Sequence, residues 1–207
     1  MTTNYVIDWK NFSSCLLIES LGEDGISTGL GVAVRDNVLL TSSELFQKNV
    51  LKINVYSLIG TTKKRLQFEV ECFDLHPEQD VIRIKIKQKL PSEIVIYPIM
   101  KEKNSFKGKL FRLGFNKNEA KNTPVLIQSL MNSISLNKKQ IELFESQINP
   151  REAGSGIFIV RDGQIYLLGL LSLKEVCKKT KISKNPLVLG LNEWIESSWL
   201  DRQLLRG

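Results

Sequence analysis

Glu152-Ala153-Gly154-Ser155-Gly156-Ile157-Phe158-Ile159-Val160 sets a serine between two glycines at the mouth of an apolar, β-branched run. A nucleophilic serine needs a sharp turn, backbone N–H groups aimed where negative charge develops, and a strand to anchor it. Glycine permits such a turn because it tolerates backbone angles that other residues avoid. A Gly-Ser-Gly alone is ordinary loop chemistry. Its setting adds weight, because Asp162-Gly163 reads as a hairpin turn between Ile157–Val160 and Gln164–Ser172. Ser155 is the first candidate site residue.

The rest of the chain is rich in short apolar runs of strand type. Cys15–Ser20, Leu30–Val34, Val38–Thr41, Leu51–Leu58, Leu66–Phe73 and Val81–Ile86 form one series, separated by Gly22-Glu23-Asp24-Gly25, Asp36-Asn37, Gly60-Thr61 and His76-Pro77. Ile82, Ile84 and Ile86 alternate with Arg83, Lys85 and Lys87, the pattern of a strand with one buried face. A second series follows a linker near Leu90–Phe106: Lys109–Leu113, Val125–Leu130, Ile141–Ser146, Ile157–Val160, Ile165–Ser172 and Leu187–Gly190. Strands do not alternate with helices, which argues against a parallel sheet. Leu191, Trp194, Ile195, Ser198 and Trp199 recur at three- and four-residue steps behind Asn192, a candidate cap, and predict one amphipathic helix at the end. The expected fold is all-β: two six-stranded antiparallel barrels, over residues 1–95 and 96–207, with a C-terminal α-helix.

A chain of 207 residues is long enough for two small barrels with real cores, and 42% apolar with 25% charged residues is ordinary for a globular protein. No apolar run reaches membrane-spanning length, and the first ten residues lack the basic-then-apolar order of a secretion signal. Cys15, Cys72 and Cys177 are odd in number and widely scattered, which suits buried free thiols in a reducing compartment. The expected location is cytoplasmic, and no cofactor or metal is expected. The net charge of +7 is concentrated in Lys101–Lys121 and Lys174–Lys184. Such loops suit an acidic partner or nucleic acid. The aromatic residues are interleaved with aliphatic ones at strand spacing, as in a core rather than a base-stacking platform.

Taken in order, several segments resemble the trypsin-like serine proteases, nearest the bacterial high-temperature-requirement type. Gly29-Leu30-Gly31-Val32-Ala33-Val34 resembles that family's Gly-x-Gly-Phe-x-Val strand. Leu40-Thr41-Ser42-Ser43-Glu44-Leu45 stands where the family has Leu-Thr-Ala-Ala-His-Val, with its catalytic histidine. Asp80-Val81-Ile82-Arg83-Ile84 is similar to the segment bearing the catalytic aspartate, and Ile148-Asn149-Pro150 followed by Gly154-Ser155-Gly156 to the serine loop with about two extra residues. Gly169-Leu170-Leu171-Ser172 resembles the strand that binds substrate backbone.

The resemblance implies a vestigial triad of Ser155, Asp80 and Glu44, with the imidazole missing. Imidazole titrates near neutrality and carries the serine proton to the leaving group, whereas a glutamate carboxylate, ordinarily titrating near pH ~4.3, is a poor base for a hydroxyl. Ala153 stands where the family has an oxyanion-loop glycine, and Gly154 where it has Asp or Asn. Lys174-Glu175 replaces the small residue that keeps the specificity slot open. Hydrolysis is therefore not expected. The first function class is a protein- or peptide-binding module, with Ser172, Leu173 and Lys174 accepting an extended peptide by strand addition. The alternatives are a hydrolase using Ser155 with another base, His76 or a buried Lys174 or Lys178, and nucleic-acid binding through the basic loops.

Overall fold

The computed structural model describes residues 8–46, 49–59, 65–76, 80–100, 109–115, 124–129, 131–135, 140–143, 149–172 and 187–190. Seven strands make the first sheet: β1 (Cys15–Gly22), β2 (Gly25–Arg35), β3 (Val38–Ser42), β4 (Lys52–Ser57), β5 (Gln67–Phe68), β6 (Val70–Leu75) and β7 (Val81–Ile86). Their order is β5-β4-β1-β2-β3-β7-β6. The second sheet holds β8 (Lys109–Phe115), β9 (Pro124–Ser129), β10 (Met131–Ser135), β11 (Gln140–Leu143), β12 (Gly156–Arg161), β13 (Gln164–Ser172) and β14 (Leu187–Gly190). It runs β10-β11-β14-β13-β12-β8-β9, and every pairing within both sheets is antiparallel.

The all-β reading holds, but the expected pair of six-stranded barrels with a C-terminal α-helix does not. Each sheet has seven strands, and the only helices among the described residues are single 3-10 turns. The segment expected to form that helix, 191–202, lies outside the described residues. The miscount in the first sheet has a physical cause. Leu66–Phe73 reads as one apolar run, yet it serves two neighbours: Gln67 and Phe68 pair with Tyr56 and Val55, while Val70 pairs with Ile86. Glu69 is the corner, its carbonyl accepting from Lys87 N at 2.9 Å. One bent length of chain thus joins the two edges of the sheet. No ladder connects β4 to β6, and a groove lined by Ile53, Phe68, Val70 and Phe73 leaves that wall nearly but not fully closed. In the second sheet the additional strand is β10, paired to β11.

Period-two patterning sorts the side chains into three apolar layers. Leu16, Ile18, Leu39, Ile82, Ile84 and Ile86 lie within the first sheet's own core, and Leu110, Ile157, Ile159, Leu168 and Leu171 within that of the second. The alternate residues Cys15, Leu17, Val32 and Leu40 meet Phe111, Leu113, Phe158 and Leu170 in a layer shared by both sheets. Phe12, on the 3-10 turn Trp9–Phe12, fills that layer, its ring 4.7 Å from Phe158 and 6.3 Å from Phe111. The Asp162-Gly163 turn has positive φ at both residues, 51° and 75°, as a two-residue hairpin between antiparallel strands requires.

Cys15 lies in the shared layer, and burial pushes its thiol up to about 12, with the Gly156 backbone acting weakly the other way. An unfolded thiol ionises near pH ~8.5, so the folded state loses stability as pH climbs above that value. In a Cys72→Ser/Cys177→Ser background, we expect an aromatic disulfide reagent at pH ~8 to modify Cys15 no faster than the protein unfolds. Rapid reaction of folded protein is the contrary result. No helix among the described residues is long and apolar enough to cross a membrane.

Candidate functional site

Glu44 rides on a 3-10 turn, Ser43–Leu45, directly after β3. Ser42 caps this turn, its hydroxyl accepting from Glu44 N at 3.4 Å. Asp80 stands one residue ahead of β7, the neighbour of β3, so strand pairing carries it to the same place. Its carbonyl accepts from Ser43 N at 3.0 Å, and its carboxylate accepts from Ser43 Oγ at 3.2 Å. Glu44 turns the other way. Its Oε1 accepts from Ser172 Oγ, the last residue of β13, at 2.6 Å. The structure therefore unites Glu44 with Ser172 and Asp80 with Ser43, and gives each carboxylate a hydroxyl donor of its own.

Ser155 points elsewhere. The residue is fully buried, and its hydroxyl is directed at the Leu113 carbonyl in β8, 2.9 Å away, with the Gly156 carbonyl at 3.4 Å. Both acceptors are backbone oxygens of the second sheet. His76 follows the last residue of β6, its backbone N–H donating to Val81 O at 2.8 Å. Leu173 and Lys174, expected to bind peptide, and the lysine-rich stretch after them lie outside the described residues.

The loop ahead of Ser155 folds into a 3-10 turn, Pro150–Glu152, capped by Asn149. Its amides are spent on the protein itself. Arg151 N donates to Asn149 Oδ1 at 3.0 Å, Glu152 N to Asn149 O at 2.9 Å, and Ala153 N to Pro150 O at 3.3 Å. Gly154 N donates to Leu171 O at 2.8 Å, and Ser155 N to Glu152 O at 2.9 Å. Gly154 adopts φ +80° where the loop threads between the two sheets. A side chain there would start 2.1 Å from Leu30 O and 2.2 Å from Thr41 Oγ1.

Two residues of this site were not singled out from the sequence. The Glu152 carboxylate is drawn into the interior, paired to the Arg112 guanidinium and accepting from Phe115 N at 3.2 Å. Arg112 belongs to β8 and, like Glu152, is almost wholly buried. The available signal was Leu110-Phe111-Arg112-Leu113, a cation inside an apolar strand run, which calls for a buried countercharge.

No protein-family model matches the sequence, and no curated protein matches it significantly. Among solved structures, a scabies mite inactivated protease paralogue superposes with a TM-score of 0.71 at 12% identity, over 94% of this chain and 96% of that one. At that identity the likeness shows that the two chains share a fold, and no more.

Proposed function

We propose that this chain is a non-catalytic trypsin-fold protein that works by binding a polypeptide. One observation carries the reading: every backbone amide from Arg151 to Ser155 already has an acceptor within the protein. Acyl transfer needs free donors around the developing oxyanion, and loss of a single one costs roughly a hundred- to a thousandfold in turnover. The missing imidazole acts in the same direction, since removing the triad histidine from a serine protease costs on the order of a millionfold. Five family-like segments in order, Gly29–Val34 to Gly169–Ser172, support descent from proteases of the bacterial high-temperature-requirement type. The scabies mite protein is itself called an inactivated paralogue, which fits a fold retained after its chemistry has gone. A net charge of +7 favours an acidic partner.

The test is labelling of the native protein by a fluorophosphonate, with casein turnover alongside. Neither wild type nor Glu44→His is expected to label or to cut, because the loop amides stay engaged in both. Ser155→Ala is expected to lower stability by about 1–2 kcal/mol, by depriving a buried carbonyl of its donor. Labelling at Ser155, or casein cleavage abolished by Ser155→Ala, would overturn the proposal.

A further inference from the structure

Glu44, on the turn after β3 of the first sheet, and Ser172, the last residue of β13 in the second, are 128 residues apart in sequence, yet their side chains meet at 2.6 Å. A hydroxyl donating to a carboxylate makes a stronger bond than one between neutral groups. Both ends are held before they meet. The turn bearing Glu44 is tied down by Ser42 and by two hydrogen bonds from Ser43 to Asp80. Ser172 is 2% exposed and paired to Leu187, while Leu171 N donates to Ser155 O at 2.8 Å. Little conformational freedom is left to lose when the contact forms.

The loop between the sheets is stitched to the same place. Leu30 N in β2 donates to Ala153 O at 2.9 Å, and Gly154 N reaches Leu171 O in β13. Glu44 and Ser172 thus add a side-chain tie to a backbone seam. We propose that Glu44 is a cross-brace that locks the two sheets over this loop at the end of β13. An acid at this station then has a structural use: its oxygen reaches across to a hydroxyl on the opposite sheet. This inference stands apart from the question of catalysis, since it concerns only what holds the sheets together here.

The experiment is a double-mutant cycle on the full chain, read by denaturation and by amide exchange at Gly154 and Leu171. Glu44→Ala and Ser172→Ala should each speed exchange at those amides by about tenfold to a hundredfold, the weight of a hydrogen bond to a charged group. The double variant should add almost nothing to either single one. Glu44→Gln should keep about half of the protection, since its amide oxygen accepts the same bond without the charge, and it serves as the folded reference if Glu44→Ala fails to fold. Additive effects overturn the proposal, as does exchange unchanged in Ser172→Ala. Fluorophosphonate labelling of wild type would end the non-catalytic reading yet leave the result of the cycle intact.

Discussion

Arg112→Met is expected to destabilise the protein by about 3–5 kcal/mol, the cost of leaving a buried carboxylate without its countercharge. The Arg112 and Glu152 side chains are only 3% and 2% exposed, so water does not replace the lost partner. Methionine fills the space of the arginine stem, so packing changes little and the electrostatic loss dominates. A domain of this kind is stable by roughly 5–15 kcal/mol, so the change removes a large share of the total. With a slope near ~2 kcal/mol per molar, the urea midpoint should fall by about 2 M. The double variant Arg112→Met/Glu152→Gln should recover most of the loss, because the amide oxygen still accepts from Phe115 N while the stranded charge is gone. A midpoint shift below about 0.5 M in Arg112→Met would show that the pair does not anchor the loop. Loosening the anchor should also loosen the 3-10 turn that Glu152 belongs to, and with it the amides on which the non-catalytic reading rests.

What the sequence disclosed follows from the range of the forces involved. The alternation of Ile82, Ile84 and Ile86 with charged residues identifies β7, because burial of one strand face is a local pattern. Even there a long-range detail is hidden: Arg83, read as facing solvent, is 3% exposed and reaches Asp74 across the ladder at 3.3 Å. The corner at Glu69 was not legible, since only the choice of two pairing partners divides an otherwise continuous run. Met131-Asn132-Ser133-Ile134-Ser135 was missed for the opposite reason, as its polar composition is weak strand chemistry and pairing with β11 makes it β10. At the site, Glu44 and Asp80 were singled out from local motifs. The direction of the Ser155 hydroxyl was not, because Gly-Ser-Gly has the same letters whether its serine faces a cleft or the Leu113 carbonyl. The union of Arg112 with Glu152 spans forty residues and depends on the completed second sheet.

Gly154→Ala should destabilise the protein severely, and Gly163→Ala supplies the comparison that explains why. Both glycines adopt the left-handed conformation, φ +80° and +75°, which costs any other residue about 1–2 kcal/mol. At Gly163, in the hairpin turn between β12 and β13, an added methyl group meets nothing within 4 Å, so that strain is the whole penalty. At Gly154 the same methyl would stand 2.1 Å from Leu30 O, 2.2 Å from Thr41 Oγ1 and 3.0 Å from Ser42 N. Leu30 O is fixed in β2 and already accepts from Thr41 Oγ1 at 2.6 Å, so the neighbours have no flexible end to withdraw. Relief requires the loop to leave the seam, which breaks Gly154 N to Leu171 O and Leu30 N to Ala153 O together. Adding those losses to the backbone strain gives about 4 kcal/mol or more, against about 1–2 for Gly163→Ala. Thermal denaturation of the two variants side by side measures the difference. Equal shifts would mean that the loop does not thread between the sheets as described, and the case for its occupied amides would go with it.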